Sequence, residues 1–387
     1  MLPLGFPPDE YRDRWSRAQK LMAGAGLDAV LVTEEHNYMY FSGHRLPYSR
    51  PPCSSYSRPS AVVLPRDGEP IVIVHLFHHA DAARTSPARD VRAYKEFSTG
   101  AAGLIRDALR ERGLRAGRVG TELGYEQRLG LPFDEFVWLQ KEMSGVEFAD
   151  ASDVLWRLRM VKSEAEAACI REACHITSRA YASLFSQFKE GMTEREASAI
   201  LAIAMMQEGA DQPGLLDVTS GPGRYNRTSD AATRRAVQRG EMLWLDAGAV
   251  FNAYWADFSR AGVVGGPNGE QLAMQRVVND LTMRGVELVR PGLPVAEIAR
   301  ACYAGLEKLG LPTNVAGRIG HGVGLHITEP PHVATYDPTV LEPGMVITVE
   351  PGIITDYGAF HIEQNVLVTP GGYELLSIAP WELATLA

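Results

Sequence analysis

Cysteine is scarce: Cys53, Cys169, Cys174 and Cys302 are the four in 387 residues, and no two of them form a CxxC pair. That spacing argues against a disulfide framework or a thiolate metal cluster. Cys169 and Cys174 fall on a stretch with helical periodicity, and five residues of helix turn their side chains apart by about 140°. All four read as reduced thiols that behave as small hydrophobes. Positive charge is short too. Lys and Arg total 38 against 47 Asp and Glu, a formal net charge of −9, so no basic footprint exists for nucleic acid or an anionic membrane. No run approaches the roughly 18 uninterrupted apolar residues of a membrane span. The N-terminus, MLPLGFPPDEYRDRW, lacks the basic-then-apolar pattern of a secretory leader. These absences point to a cytoplasmic protein that binds neither nucleic acid nor membrane.

What is present is ordinary globular material, 45% apolar and 22% charged, long enough for two domains. Residues 9–25 have helical periodicity and residues 28–33, DAVLVT, form a short apolar strand. Strands over 60–64 and 70–74 are joined by Arg66-Asp67-Gly68-Glu69, a hairpin signal. A helix over 101–111, a strand over 118–123 and a helix over 134–143 complete a small α/β domain spanning residues 1–150. Within it, residues 42–59, SGHRLPYSRPPCSSYSRP, have no period and read as a long loop.

The second domain, residues 151–387, changes character. Ser163 with Glu166, and Thr193 with Glu196, are capping boxes that open helices running to about 188 and 208. Strands over 242–251 and 253–264, helices over 270–289 and 295–309, and strands and loops from 320 onward predict an α+β domain.

Five residues of this domain carry the chemistry: Asp246 in LWLDAG, Asp257 in YWADFSR, His321 in IGHGVGLH, Glu350 in ITVEPG and Glu363 in FHIEQN. An isolated Asp in a strand is more often an edge or turn residue, and a lone His more often structural. Four carboxylates and one imidazole together suit divalent Mn, Fe, Co or Zn, and two such ions about 3.5–4 Å apart can activate one water for hydrolysis. A tight reversal at Phe251-Asn252-Ala253 brings the two aspartates together, and strand alternation sets Trp244 beside Asp246 and Trp255 beside Asp257, an aromatic wall. Glu350 follows an apolar run and precedes Pro351-Gly352, where an unpaired carboxylate is costly to bury. His361 shares a face with Glu363 if residues 360–368 form one strand.

Together these contexts resemble the pita-bread metallohydrolases, the family of methionine aminopeptidase, aminopeptidase P, prolidase and creatinase. The resemblance runs from about residue 151 to the C-terminus in motif order and spacing, and extends to the N-terminal part in general layout. It implies a curved antiparallel sheet covered by helices, preceded by a domain of creatinase N-terminal type. Asp246, Asp257, His321, Glu350 and Glu363 fall on the five metal-ligand positions, and Glu350 also on the proton-transfer position. Two divalent ions are implied, Mn²⁺ ahead of Fe²⁺, Co²⁺ or Zn²⁺, with a water activated between them attacking the amide of an Xaa-Pro peptide. A homodimer is implied as well, with the N-terminal domain of one subunit reaching its partner's site, where His44, Arg45 and Arg50 are candidates to hold a substrate carboxylate.

Two positions depart from the family. Ser229, eleven residues before Gly240, and Thr328, seven after His321, stand where its peptidases carry histidines. His326 and His361 are the candidates to take over catalysis there, His361 reading equally as a structural residue; His332 is another, though a loop histidine after Pro330-Pro331 is more often solvated. Trp244, Trp255, Ser229 and Thr328 are the remaining expected substrate contacts, for a short peptide or small molecule. Alternative readings are a non-peptidase acting on a small zwitterion, as creatinase and the dimethylsulfoniopropionate lyases of this fold do, and a binding module without catalysis.

Overall fold

The apolar tetrapeptides of the N-terminal third become the middle of a sheet. The computed structural model describes residues 5–46, 58–97, 100–310 and 317–387, and the chain divides into two units, Met1–Arg159 and Met160–Ala387. In the first, β1 (Ala29–Val32), β2 (Ala61–Pro65), β3 (Ile71–His75), β4 (Asp90–Tyr94), β5 (Gly117–Thr121) and β6 (Val146–Asp150) pair in the order β4-β3-β2-β1-β5-β6. β2 runs antiparallel to both β1 and β3, and the outer pairs are parallel. Every residue of β1, β2 and β3 is buried, so both faces need cover. The helix α4 (Ala101–Glu111) presents Ala101, Ala102, Ile105, Ala108 and Leu109 on one side, and these pack with Val63, Ile73, Phe136 and Leu139.

Flanking helices of this unit are α1 (Pro8–Ala25), α2 (Glu35–Ser42), α3 (Leu76–Thr85), α5 (Phe133–Glu142) and α6 (Ser152–Met160). The helix α2 was not foreseen because its N-cap is Glu34, whose carboxylate accepts from the His36 and Asn37 N–H groups, a role usually filled by shorter side chains. Of the expected loop over 42–59, Ser42 ends α2 and residues 43–46 are irregular. Residues 47–57, with Arg50 and Cys53, lie outside the described residues.

In the second unit, α7 (Glu164–Gln187), α8 (Glu194–Gln207) and α9 (Gly269–Leu288) each begin with a complete capping box, at Ser163, Thr193 and Asn268. A fourth helix, α10 (Val295–Lys308), follows. One sheet joins β7 (Gln212–Ser220), β8 (Met242–Phe251), β10 (Phe258–Val264) and β18 (Ala384–Leu386) in the order β18-β10-β8-β7, with β9 (Tyr254–Trp255) paired to β8. A second sheet has the order β12-β11-β13-β16-β17, from β11 (His321–Gly322), β12 (Glu329–His332), β13 (Val346–Val349), β16 (Gln364–Thr369) and β17 (Gly372–Leu375). The hairpin of β14 (Gly352–Thr355) and β15 (Gly358–His361) stands apart.

Two strands expected as continuous are broken. The stretch 253–264 is interrupted at Ala256-Asp257 and the stretch 360–368 at Ile362-Glu363. Alternating polarity reads straight through such breaks, because hydrophobic period does not report whether backbone groups stay in the ladder. Among the described residues, no helix is long and apolar enough to cross a membrane. Cys169, Cys174 and Cys302 are buried free thiols.

Candidate metal centre

The five candidate ligands come from places where backbone pairing begins, ends or fails, Asp246 excepted. Asp257 lies in the gap between β9 and β10, Glu363 in the gap between β15 and β16, and Glu350 directly after β13. Each gap is held open by specific bonds. Asn365 clamps Asp257: its Oδ1 accepts from the Asp257 N–H at 3.0 Å and its Nδ2 donates to the Asp257 carbonyl. The fully buried Arg260 guanidinium donates to the Glu363 carbonyl at 2.9 Å and to the Gln364 Oε1 at 3.1 Å, which replaces ladder bonds the break removes. Asp246 is inside β8, directly opposite Ser259 of β10 and Asp217 of β7.

His321 sits where the chain passes close to β13. A Cβ on its neighbour Gly320 would lie 2.2 Å from the Thr348 carbonyl oxygen, so only glycine permits that approach. The His321 N–H then donates to Thr348 Oγ1 at 3.1 Å, and that hydroxyl donates to Glu350 Oε1 at 3.1 Å. His321 Nδ1 is 3.0 Å from the Gly322 carbonyl. A carbonyl only accepts, so Nδ1 carries the proton and Nε2 presents a lone pair.

That Nε2 faces Asp257 Oδ2 at 3.4 Å and Glu350 Oε1 at 3.5 Å. On the other side of Glu350, His361 Nε2 lies 3.2 Å from Oε2. Ligand atoms of Asp257, His321 and Glu363 fall within 4.8 Å of one another, as do those of Glu350, His361 and Glu363. Glu350 and His361 keep 17% and 12% of their side-chain surface exposed, so a substrate can reach them, whereas Asp257, His321 and Glu363 are closed off.

Electrostatics test whether cations fit. Burial, opposed by His361 and reinforced by Glu350, pushes the Asp246 carboxyl up to about 7. Burial and the Asp246 charge drive Asp257 well above the usual range, and burial with Asp257 does the same to Glu363. Burial also acts on Glu350, but the His361 hydrogen bond, with the His361 and Arg318 charges, outweighs it and holds the carboxyl down at about 2. Among the described residues, Asp246 Oδ1, Asp257 Oδ1 and both Glu363 carboxylate oxygens are buried without a hydrogen-bond partner. Orphaned anionic oxygens of this kind cost several kcal/mol unless neutralised, and divalent cations neutralise them with the hard oxygen and imidazole donors present. The residues fit a metal centre.

Other expected site residues separate. Trp244 requires correction: it is 1% exposed, packed with Met242, Ala261 and Phe360, and forms no wall for a substrate. Its face is the expected one, but the β14–β15 hairpin covers it. Its indole N–H donates to the His361 carbonyl at 3.3 Å and its ring lies 5.6 Å from the imidazole. Trp255 is half-buried in β9. His332 is likewise corrected, being no solvated loop residue: it is buried in β12 opposite His321, with Nδ1 2.9 Å from an Arg318 guanidinium nitrogen.

His326 and Thr328 lie half-buried on the loop between β11 and β12. The His326 N–H donates to Glu329 Oε1 at 3.1 Å, and Glu329 pairs with the buried Lys162 at 3.3 Å, so this loop is anchored. Ser229 is exposed in a turn between β7 and β8. In the N-terminal unit His44 is buried with its Nδ1 2.8 Å from the Tyr38 hydroxyl, and Arg45 is half-buried.

Asp217, Ser259, Arg260 and Asn365 were not singled out from the sequence. Asp217 is half-buried opposite Asp246, and burial with the Asp230 charge pushes it up to about 6. Its strand was not read because Pro213-Gly214 interrupts the pattern. Asn365, two residues beyond Glu363 in FHIEQN, and Ser259 and Arg260, two and three beyond Asp257 in YWADFSR, had a signal in those motifs.

Residues 168–370 match the model of metallopeptidase family M24, and residues 14–161 match the creatinase/prolidase N-terminal domain. The chain belongs to metallopeptidase family M24, with the pita-bread fold, and is a metal-dependent hydrolase. It is 30% identical over 375 residues to the Xaa-Pro dipeptidase of Pyrococcus furiosus, covering 96% of this chain and 99% of that one. Among solved structures it is similar to the Xaa-Pro dipeptidase from Bacillus anthracis, with a TM-score of 0.85, 25% identity, and coverage of 97% and 100%. The prolidase from Pyrococcus horikoshii gives a TM-score of 0.81 at 28% identity, with coverage of 95% and 99%.

Proposed function

We infer that this chain cleaves the peptide bond of Xaa-Pro dipeptides, with two divalent ions held by Asp246, Asp257, His321, Glu350 and Glu363. The carrying observation is the convergence of these residues around carboxylate oxygens that no donor among the described residues reaches. The Xaa-Pro dipeptidases matched over nearly their whole length support the substrate class. The ions, Mn²⁺ foremost, would supply Lewis acidity that readies a water and offsets charge on the substrate carbonyl.

The chain's own residues do the rest. Glu350, held ionised and partly exposed, takes a proton from the water at a carboxylate oxygen and passes it to the departing amine. Thr348 and His361, bonded to its two oxygens, fix its orientation. The anchored loop carrying His326 and Thr328 positions donors for the substrate carbonyl. Asp217, on the same face as Asp246 and outside the ligand set, is the carboxylate for the substrate's ammonium group. A cytoplasmic homodimer completes the reading, supported by the family resemblance and by buried reduced thiols. Release of proline from a series of Xaa-Pro dipeptides, with Mn²⁺ and after chelation, tests the assignment. Metal-dependent release supports it, and none at saturating Mn²⁺ and substrate contradicts it.

A further inference from the structure

His361 is held as firmly as His321, by a different route. A Cβ on Gly352, its partner across the β14–β15 ladder, would lie 2.5 Å from the imidazole Cδ2, so the ring occupies space that only glycine leaves free. Trp244 packs against one side and holds the residue's carbonyl. The other ring nitrogen, Nδ1, meets the Ser259 hydroxyl at 3.1 Å, and Ser259 is fully buried.

Ser259 determines which nitrogen carries the proton. A hydroxyl has one proton to give. Ser259 Oγ lies 2.8 Å from the His361 carbonyl oxygen, a shorter contact than that to Nδ1, and a carbonyl can only accept. The hydroxyl proton therefore goes to the carbonyl and Oγ accepts from Nδ1–H, so Nε2 is the nitrogen that can give up a proton and offer its lone pair. Nε2 lies 3.2 Å from Glu350 Oε2, and Glu363 offers a ligand atom within 4.8 Å. An imidazole nitrogen and carboxylate oxygens facing one another share either a proton or a metal ion, and the three together are a ligand set for the second. The arrangement repeats His321, whose Nδ1 is spent on the Gly322 carbonyl and whose Nε2 faces Glu350 Oε1. A ring nitrogen oriented by a hydrogen bond at its opposite edge is the habit of metal-bound histidine.

We propose that His361 is itself a metal ligand, offering Nε2 to an ion shared with Glu350 and Glu363, so that the centre has one imidazole on each side of Glu350. This rests on the ligand set proposed above and adds a sixth member to it. The experiment is proton NMR of the Co²⁺-loaded protein in H₂O and D₂O, with Co²⁺ titration calorimetry on wild type, His361→Gln and His361→Arg. Two strongly shifted, solvent-exchangeable imidazole N–H resonances are expected in wild type, and one in His361→Gln. Affinity for the second ion falls about ten-fold or more in both variants. Arginine still donates to Glu350 but has no lone pair, so it does not restore binding. A single exchangeable resonance in wild type with two ions bound, or wild-type affinity in His361→Arg, overturns the proposal and leaves the five-residue set intact. Absence of any bound ion overturns the five-residue set as well.

Discussion

Each unit places acids out of water, and each treats them oppositely. In the N-terminal unit Glu122 is surrounded by donors: the Thr33 N–H and hydroxyl at 2.8 Å, the Glu34 N–H at 3.0 Å and the Asn37 amide at 3.0 Å. Burial and the Glu34 charge still push it up to about 7. In the catalytic unit, Glu363 has both oxygens buried with no partner among the described residues. A structural carboxylate is satisfied by the fold that buries it. One left unsatisfied beside three more acids marks where the fold is completed by something it binds.

Removing an acid from the second cluster should therefore have the largest consequence for function. Asp257→Ala is expected to abolish metal retention and dipeptide turnover while the chain remains folded, checked by elemental analysis and circular dichroism. Glu350→Gln comes next, lowering the chemical step by a factor on the order of 10² or more while at least one ion stays bound. Unchanged single-turnover rates would limit Glu350 to ligation.

The matching change in the first unit sharpens the contrast. Glu122→Gln turns donors toward donors and is expected to cost about 1–3 kcal/mol of stability without altering metal content, as read from urea unfolding. A fall in bound metal would erase the distinction between the two sites.

The acids also differ in how metal changes their pH response. Asp246, Asp257 and Glu363 bind protons more tightly folded than unfolded, so the metal-free chain holds the extra protons and its stability falls as pH rises. For Asp246 the loss begins near the ordinary Asp value and is complete above about 7. Thermal melts after chelation should show Tm falling over that window, and Mn²⁺ should flatten much of the slope, leaving the Glu122 and Asp217 contributions, which have the same sign. A metal-free melt that rises across the window contradicts this. The smallest effect is expected where the chain departs from its family: Ser229→His with Thr328→His should raise Xaa-Pro turnover modestly, measured against wild type at saturating Mn²⁺.

Much of the candidate site was legible in the sequence because each proposed ligand sits in a short motif with its own local reason, such as the glycine before His321 or the Pro-Gly after Glu350. The supporting bonds were not. Asn365 reaches Asp257 across 108 residues and Ser259 reaches His361 across 102, and no local pattern encodes such partners. Trp244 shows the limit of alternation, which gives the face of a strand correctly but not what covers it. Glu34 as an N-cap and the breaks at Asp257 and Glu363 were hidden because propensity and period describe averages, whereas these sites depend on individual bonds.

The central claim is that the acids of the second unit exist to hold cations, and metal content tests it most directly. Elemental analysis of the protein after equilibration with Mn²⁺ and removal of free ion should give about two ions per chain for wild type and none for Asp257→Ala. A wild-type chain that retains no metal under saturating Mn²⁺, Co²⁺ or Zn²⁺ would contradict the account.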